Sequence, residues 1–209
     1  MLEPAMNGPS IVLCADDYGY RPGVSRAIRA LAAEGRLSAT SALVTFPEWS
    51  EAASGVAALR GLIDVGLHVN LTEGAALGPV ASLAPDGVFP GLGRLVRQSL
   101  AGRLDRDAIR AEISRQFDAF RSATGVDPDH VDGHQHAHAL PIVRHALMDA
   151  LAARGWRGPI RDPADRFAGI LARRGAAPKA RVMALRARGV ARVARADGPG
   201  VHDGFAGGY

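Results

Sequence analysis

The chain has 209 residues, of which 47% are hydrophobic and 22% charged, and its formal net charge is +4. This length and composition are those of one globular domain with a sizeable core. No apolar run reaches the roughly 18 residues that a membrane span needs, and the single cysteine, Cys14, excludes an intrachain disulfide and a multi-cysteine zinc site.

The first residues of the chain, MLEPAMNGPSIVLCADD, do not have the features of a signal peptide. They lack a basic n-region, and their apolar core of five residues is too short for export. A cytoplasmic location is therefore expected.

Positive charge is concentrated in residues 154–195, which hold 12 Arg or Lys residues and two acidic ones, Asp162 and Asp165. An arginine-rich segment can bind phosphate or nucleic acid. The simpler interpretation is a basic helical C-terminal part with a solvated face, and we expect no nucleic-acid partner.

In the first third of the chain, strand patterns and helix patterns alternate. The continuous apolar run at 10–15 predicts a strand buried on both faces. Apolar residues at helical spacing predict a helix over 24–34. Further strands are predicted at 38–46 and 62–71, with a helix over 48–60 between them.

The same alternation continues after a segment rich in Gly, Pro and Ala, residues 72–94, which predicts a long functional loop. Helices are predicted over 105–123 and 142–151, with a short extended piece at 128–134. This order predicts a single α/β domain over 1–209 with a mainly parallel sheet, and the pattern fits an open sheet and a barrel equally well.

Polar clusters lie at the carboxyl ends of three predicted strands, where parallel α/β folds bind their ligands. Because the carboxyl ends of parallel strands lie at one rim, side chains that are remote in sequence are expected to meet there. The clusters are Asp16 with Asp17, His68 with Asn70, and Asp132 with His134 and His136.

The adjacent carboxylates of Asp16 and Asp17 allow two interpretations. Successive side chains of a strand point to opposite faces, so one carboxylate could ligate a metal while the other accepts a proton. Alternatively, one of them caps the turn or helix that follows. The pair alone favours neither.

His68 lies in a segment with strict period-two alternation, DVGLHVNL, in which one face is aliphatic and the other polar. A lone histidine on a strand is more often a hydrogen-bonded structural residue. Its place near a carboxyl end, with Gly66 beside it on the same face, favours a ligand instead.

The segment HVDGHQHAHAL, residues 130–140, holds four of the chain's seven histidines. If it is extended, its alternate residues share one face, but i to i+4 on a strand spans about 13 Å. At most two adjacent members therefore reach one ion. Imidazole and carboxylate ligands suit zinc and other late divalent cations, and three such ligands with an open position permit metal-assisted hydrolysis.

Taken together, three motifs resemble those of the YdjC/ChbG-like carbohydrate deacetylase family. They are ADDYG at 15–19, GLHVNLTEG at 66–74 and HVDGHQHAHALP at 130–141, in the family's order and at similar spacing. The resemblance spans residues 10–150, about two-thirds of the chain.

The resemblance implies a site with one divalent metal ion, Mg²⁺ or Zn²⁺. It assigns Asp17, His68 and His134 as the metal ligands and Asp16 as the general base. Four residues are assigned to the surroundings of the ligands or to substrate contacts: Asn70, Asp132, His136 and His138.

The resemblance also implies an irregular TIM-like (β/α) barrel and removal of acetyl groups from N-acetylated sugars such as chitooligosaccharides, so a small carbohydrate is the expected partner. The family's general acid lies on a late strand with a His-Pro pair, which this sequence lacks. Residues 201–209 resemble a mid-chain segment of the family. We therefore expect a barrel that is incomplete at the C-terminus, in a chain that is weakly active or unstable alone or that forms a homo-oligomer.

Two alternatives remain open at this stage. One is a truncated, inactive metal-binding relative, and the other is a different metal-dependent amidohydrolase or phosphoesterase. Those enzymes place an H-x-H pair on the first strand, whereas the first predicted strand here leads into Asp16 and Asp17. That order argues against them.

Overall fold

Strands and helices alternate along the chain in the computed structural model, which describes residues 11–163 and Gly200. The strands are β1 (Cys14–Tyr18), β2 (Ala39–Ala42), β3 (Asp64–Val69) and β4 (Val131–Gly133). The helices are α1 (Pro22–Ala33), α2 (Trp49–Ala52), α3 (Val56–Arg60), α4 (Leu92–Leu100), α5 (Arg106–Thr124) and α6 (Pro141–Ala153), and 3-10 segments cover Ala53–Gly55 and His134–Ala139.

The four described strands form one parallel sheet in the order β1-β2-β3-β4. Beside β4, Val131 forms an additional parallel bridge with Ile160. The predicted α/β fold with parallel strands is confirmed, and its closure into a TIM-like barrel stays a prediction. All four carboxyl ends lie at the same edge, which brings the predicted polar clusters together.

The core packs helices against this sheet. In the helix predicted over 24–34, Ile28 is buried but Leu31 is 41% exposed. In α5, Ile109, Ile113, Phe117 and Phe120 are all buried. The helix begins at an Asp105 cap, whose side chain accepts hydrogen bonds from two backbone N–H groups of the first turn. It ends where Gly125 takes a left-handed conformation, with φ 76°.

The first strand differs from its predicted range. It covers Cys14–Tyr18 rather than residues 10–15, so Asp16 and Asp17 lie inside the strand and not after it. The apolar residues Ile11–Leu13 precede β1 and are exposed. The apolar run thus predicted the presence of a strand but misplaced it by about four residues.

Part of the predicted loop, residues 72–94, is more ordered than its composition indicates. Bridges join Ala75 to Val88 and Val80 to Ala84, and Leu83 is fully buried. Helix α4, which the sequence did not predict, begins within this range. Gly91 and Gly93 at its start indicated a loop, although the helix buries Leu95 and Val96 in the core.

The basic segment differs from the helix predicted for 154–195 wherever the two can be compared. Residues 154–163 form a turn and an extended stretch, and 164–195 lie outside the described residues, as do 201–209. Among the helices that are described, none combines the length and apolarity of a membrane-crossing segment.

Candidate metal centre

A bulge in β1 turns both carboxylates of the Asp pair toward the same site. The register with β2 shifts between Ala15 and Tyr18, and Asp17 takes a left-handed φ of 70°. A regular strand would send the two side chains to opposite faces. With the bulge, a carboxylate oxygen of Asp16 and one of Asp17 each lie within 4.8 Å of a ring nitrogen of His68. The backbone strain of a non-glycine residue at positive φ is typical of functional sites.

Asp17, His68 and His134 converge, as the sequence predicted. Each offers one ligand atom, and these atoms lie within 4.8 Å of one another. The Oδ1 atom of Asp17 is 3.5 Å from Nε2 of His68 and 3.1 Å from Nδ1 of His134.

The spacing and chemistry of these three side chains fit a divalent cation. Bonds of about 2.0–2.2 Å to a shared ion would separate neighbouring ligand atoms by about 3.0–3.5 Å. Asp17 Oδ1 is buried and has no well-formed hydrogen bond within the described part of the chain. Burial by itself raises the pKa of Asp17, but contact with His134 and the charge of His68 outweigh it and lower that pKa. A charged carboxylate is the form that ligates a metal.

The other nitrogen of His68 is held by a buried carboxylate. Its Nδ1 lies 2.5 Å from Oδ1 of Asp132, which leaves Nε2 directed at Asp17. Burial lowers the pKa of His68, but the charge of Asp132 overcomes this and raises it. Burial would likewise raise the pKa of Asp132, yet the charges of His68 and Arg161 hold it well below its usual range. Metal-binding histidines are commonly oriented by such a carboxylate.

Arg161 is a site residue that the sequence reading missed. Its guanidinium donates to both oxygens of Asp16, at 2.8 and 2.7 Å, and contacts Oδ2 of Asp132 at 2.8 Å. Burial would lower the pKa of Arg161, but the charges of Asp132 and Asp16 raise it. The composition of residues 154–195 predicts a solvated basic segment that includes this arginine. The signal that could have identified it is the short extended stretch ending in Ile160, which pairs with β4.

Asp132 is also hydrogen-bonded to a buried network formed by Ser41 and His130. The hydroxyl of Ser41 donates to Asp132 at 2.7 Å and lies 2.9 Å from Nε2 of His130. The imidazole of His130 passes over Gly66, where the Cβ of any larger residue would overlap it. We call Ser41, His68, Asp132 and Arg161 the sheet side of the site.

The prediction that alternate residues of 130–140 share one face is wrong beyond Gly133. There β4 ends, and a 3-10 segment follows in which Gln135 and His136 take left-handed φ values of 52° and 56°. These values break the period-two alternation. They also explain why His134 reaches Asp17 while its neighbours point elsewhere.

His136 and His138 lie near Arg161 rather than on the candidate ion position. The Nε2 atom of His138 is 2.9 Å from the Arg161 carbonyl oxygen, and burial lowers the pKa of this histidine. Burial, followed by the charges of His138 and Arg161, lowers the pKa of His136 to about 4. Both imidazoles are therefore neutral at neutral pH, and their assignment to the surroundings of the ligands stays a prediction.

Asn70 is fully buried and shapes the loop that follows β3. Its side-chain oxygen accepts from the backbone N–H groups of Thr72 and Glu73, at 3.1 and 3.2 Å. Its amide nitrogen donates to Thr45 and to the carbonyl of Glu73, at 2.8 and 2.6 Å. The hydroxyl of Tyr20 donates to Glu73 Oε1 at 2.8 Å. We call Tyr20, Asn70, Glu73 and His134 the rim side of the site.

This arrangement can hold a divalent cation with a second carboxyl group, that of Asp16, beside it. Asp17 and the two imidazoles supply one oxygen and two nitrogen donors. Asp16 lies next to them and is held by two hydrogen bonds from Arg161. Those are the parts that water activation at a metal requires.

Comparison with known proteins agrees with the motifs. The sequence profile of the YdjC-like protein family matches residues 10–207. A human protein named carbohydrate deacetylase is 36% identical over 162 residues, which are 75% of this chain and 49% of that protein. A Serratia marcescens protein named chitooligosaccharide deacetylase is 34% identical over 143 residues, 68% of this chain and 55% of that protein.

One solved structure supports the fold. It is that of a candidate cellobiose-phosphate cleavage protein from Enterococcus faecalis, with a TM-score of 0.62 and 22% identity over 75% of this chain and 60% of that chain. The chain spans about half the length of the curated relatives it matches. Since the family profile matches nearly the whole sequence, the chain belongs to the YdjC-like family.

Proposed function

We propose that the chain is a metal-dependent hydrolase that removes the acetyl group from an N-acetylated sugar. The observation that carries this proposal is the meeting of Asp17, His68 and His134 within 4.8 Å, beside Asp16. These residues come from three separate segments of the chain, and no packing requirement brings two imidazoles and two carboxylates together at a sheet rim.

Asp17, His68 and His134 would hold the divalent cation through the atoms that already face one another, Oδ1, Nε2 and Nδ1. Such a cation supplies Lewis-acid activation of water and of the amide carbonyl. Carboxylate and imidazole donors without a thiolate suit Zn²⁺ and other first-row divalents, while Mg²⁺ more often takes an all-oxygen set.

Asp16 would act as the general base. As water adds to the amide carbonyl carbon, an Asp16 carboxylate oxygen would accept its proton. The C–N bond would then break as that proton passes to the leaving nitrogen, giving acetate and a free amino sugar and restoring the Asp16 carboxylate. Oδ1 of Asp16 accepts from Arg161 and from the Cys14 thiol, whereas Oδ2 accepts from Arg161 and retains a second lone pair for that proton. Arg161 thereby fixes the direction in which the base points.

The substrate class rests on the relatives. The human and bacterial relatives are named carbohydrate deacetylase and chitooligosaccharide deacetylase. Glu73, with its side chain 43% exposed at the rim, gives the site a polar wall suited to sugar hydroxyl groups.

Acetate release from diacetylchitobiose tests the proposal, with the 209-residue chain supplied in turn with Zn²⁺, Mn²⁺, Co²⁺ and Mg²⁺. We expect metal-dependent release that falls about 10²- to 10⁴-fold in Asp16→Asn, since a general base contributes that much. Metal affinity should be nearly unchanged in this variant. If the wild type retains metal but releases no acetate from this or related N-acetylated sugars, the chain is an inactive metal-binding relative.

A further inference from the structure

The two candidate histidine ligands are placed in a related way around Asp17. Each directs one ring nitrogen at Asp17 Oδ1, Nε2 for His68 and Nδ1 for His134. Each directs its other nitrogen at a second carboxylate. For His68 that carboxylate is Asp132, at 2.5 Å, and for His134 it is Glu73, whose Oε2 lies 3.6 Å from Nε2.

Glu73 is held in place from two directions. The buried side chain of Asn70 bonds both the N–H and the carbonyl of Glu73, which fixes the backbone at this position. The hydroxyl of Tyr20 donates to Oε1, which leaves Oε2 on the side of His134. The Tyr20 ring is itself packed edge-on against Phe46, with 4.8 Å between the ring centroids.

The opposing nitrogen of His134 needs an acceptor. His134 Nε2 is buried, and no described residue gives it a hydrogen bond. A neutral imidazole carries one N–H, and a metal takes the nitrogen that lacks it. A small rotation of the half-exposed Glu73 carboxylate closes the 3.6 Å gap to hydrogen-bond distance.

We infer that Glu73 is a positioning residue that accepts the Nε2–H of His134 and thereby keeps Nδ1 available to the cation, with Tyr20 holding Glu73 in that orientation. This inference rests on the proposed metal centre and assigns roles to two residues that the sequence motifs left without one. In Glu73→Gln the amide can turn its N–H group toward Nε2, which favours the tautomer with the proton on Nδ1. That tautomer cannot ligate through Nδ1.

The experiment compares the full chain with Glu73→Gln, Tyr20→Phe and Glu51→Gln. Glu51 is an exposed glutamate of α2 and lines a separate groove with Pro22 and Arg26, so it is the matched control. Affinity for Zn²⁺ and Co²⁺ is measured by chelator competition. The tautomer of His134 is measured in the metal-free chain from ¹⁵N chemical shifts, and thermal unfolding without metal verifies the fold of each variant.

We expect Glu73→Gln to weaken metal affinity about 10- to 100-fold, as loss of an outer partner of a ligating histidine does. Tyr20→Phe should weaken it less, and Glu51→Gln should leave it unchanged. The His134 signals of Glu73→Gln should shift toward the Nδ1–H tautomer. Wild-type affinity together with an unchanged tautomer in Glu73→Gln would overturn the inference.

Two further results are decisive. A loss of affinity far beyond about 100-fold would make Glu73 a ligand itself, which contradicts a positioning role. If the wild-type chain binds neither cation, the proposed metal centre is wrong. The tautomer in Glu73→Gln then decides the interaction between Glu73 and His134 on its own, so the two failures are distinguishable.

Discussion

The sheet side and the rim side of the site hold equivalent histidines in unequal surroundings. On the sheet side, Asp132 has no exposed surface and is bound by Ser41, His68 and Arg161. On the rim side, Glu73 is 43% exposed in its side chain and is bound by Tyr20. His68 is thus fixed by buried partners in the core, whereas His134 lies beside a carboxylate on a partly exposed loop.

The difference indicates which residues serve stability as well as function. Removing one partner of a buried charged group leaves the other charges uncompensated in a medium of low polarity, which is costly. A half-exposed carboxylate is solvated by water when its partner is lost. Changes on the sheet side should therefore affect folding, whereas changes on the rim side should affect mainly metal binding.

The largest effect is expected from Asp132→Asn. Without this carboxylate, the buried charges of Arg161 and His68 lose their common partner, and the free energy of unfolding should fall by about 3–5 kcal/mol. Urea unfolding of the metal-free chain measures this. The control is Asp64→Asn, an exposed aspartate of β3 whose loss should leave stability at the wild-type value. Equal free energies of unfolding for the two variants would show that the sheet side does not stabilise the fold more than an exposed position does.

A second change tests the packing of the sheet side without altering charge. In Gly66→Ala the added methyl overlaps the His130 imidazole, and we expect a loss of about 1–3 kcal/mol from overpacking. Gly61→Ala is the matched control, because a methyl there makes only an ordinary 3.5 Å contact with the Ala58 carbonyl oxygen. Thermal unfolding of both variants makes the comparison. A Gly66→Ala chain as stable as Gly61→Ala would mean that His130 can move aside freely.

The pH dependence of metal affinity should reflect the sheet-side histidine. Burial lowers the pKa of His68, but Asp132 raises it above the ordinary 6.5, so at pH values below that raised pKa a cation must displace a proton from His68. Below that pKa, affinity should fall about tenfold for each unit of pH, and above it affinity should level off. Chelator competition at a series of pH values measures this. In Asp132→Asn the break should move to lower pH; affinity that is independent of pH in the wild type would contradict the assignment.

The smallest effect on stability is expected from Tyr20→Phe on the rim. This change removes one hydrogen bond to a half-exposed carboxylate and should cost about 0.5–1.5 kcal/mol. The same urea unfolding experiment measures it. A cost as large as that of Asp132→Asn would show that the rim is as much a part of the core as the sheet side is.

The meeting of the polar clusters could be predicted from strand ends, whereas the choice of candidate ligands within each cluster was implied by the motif resemblance. Asp17, His68 and His134 each follow or lie within a segment with a clear strand pattern, and parallel strands bring their carboxyl ends together. The alternation of strand and helix patterns predicted the α/β fold.

The remaining features could not be predicted because they depend on irregular backbone or on long-range contacts. The bulge at Asp17 and the left-handed Gln135 and His136 follow from no periodicity. Arg161 is 145 residues from Asp16 in sequence and lies in a segment whose composition indicated a solvated face. The partnership of Glu73 with Tyr20 likewise joins two loops, and only the fold brings them together.

The most direct test of the central claim is anomalous diffraction from a crystal of the chain grown with Zn²⁺ or Mn²⁺. We predict one strong anomalous peak about 2.0–2.2 Å from Asp17 Oδ1, His68 Nε2 and His134 Nδ1. A fully loaded crystal whose anomalous peak lies elsewhere, with these three side chains bound only to one another, would contradict the account.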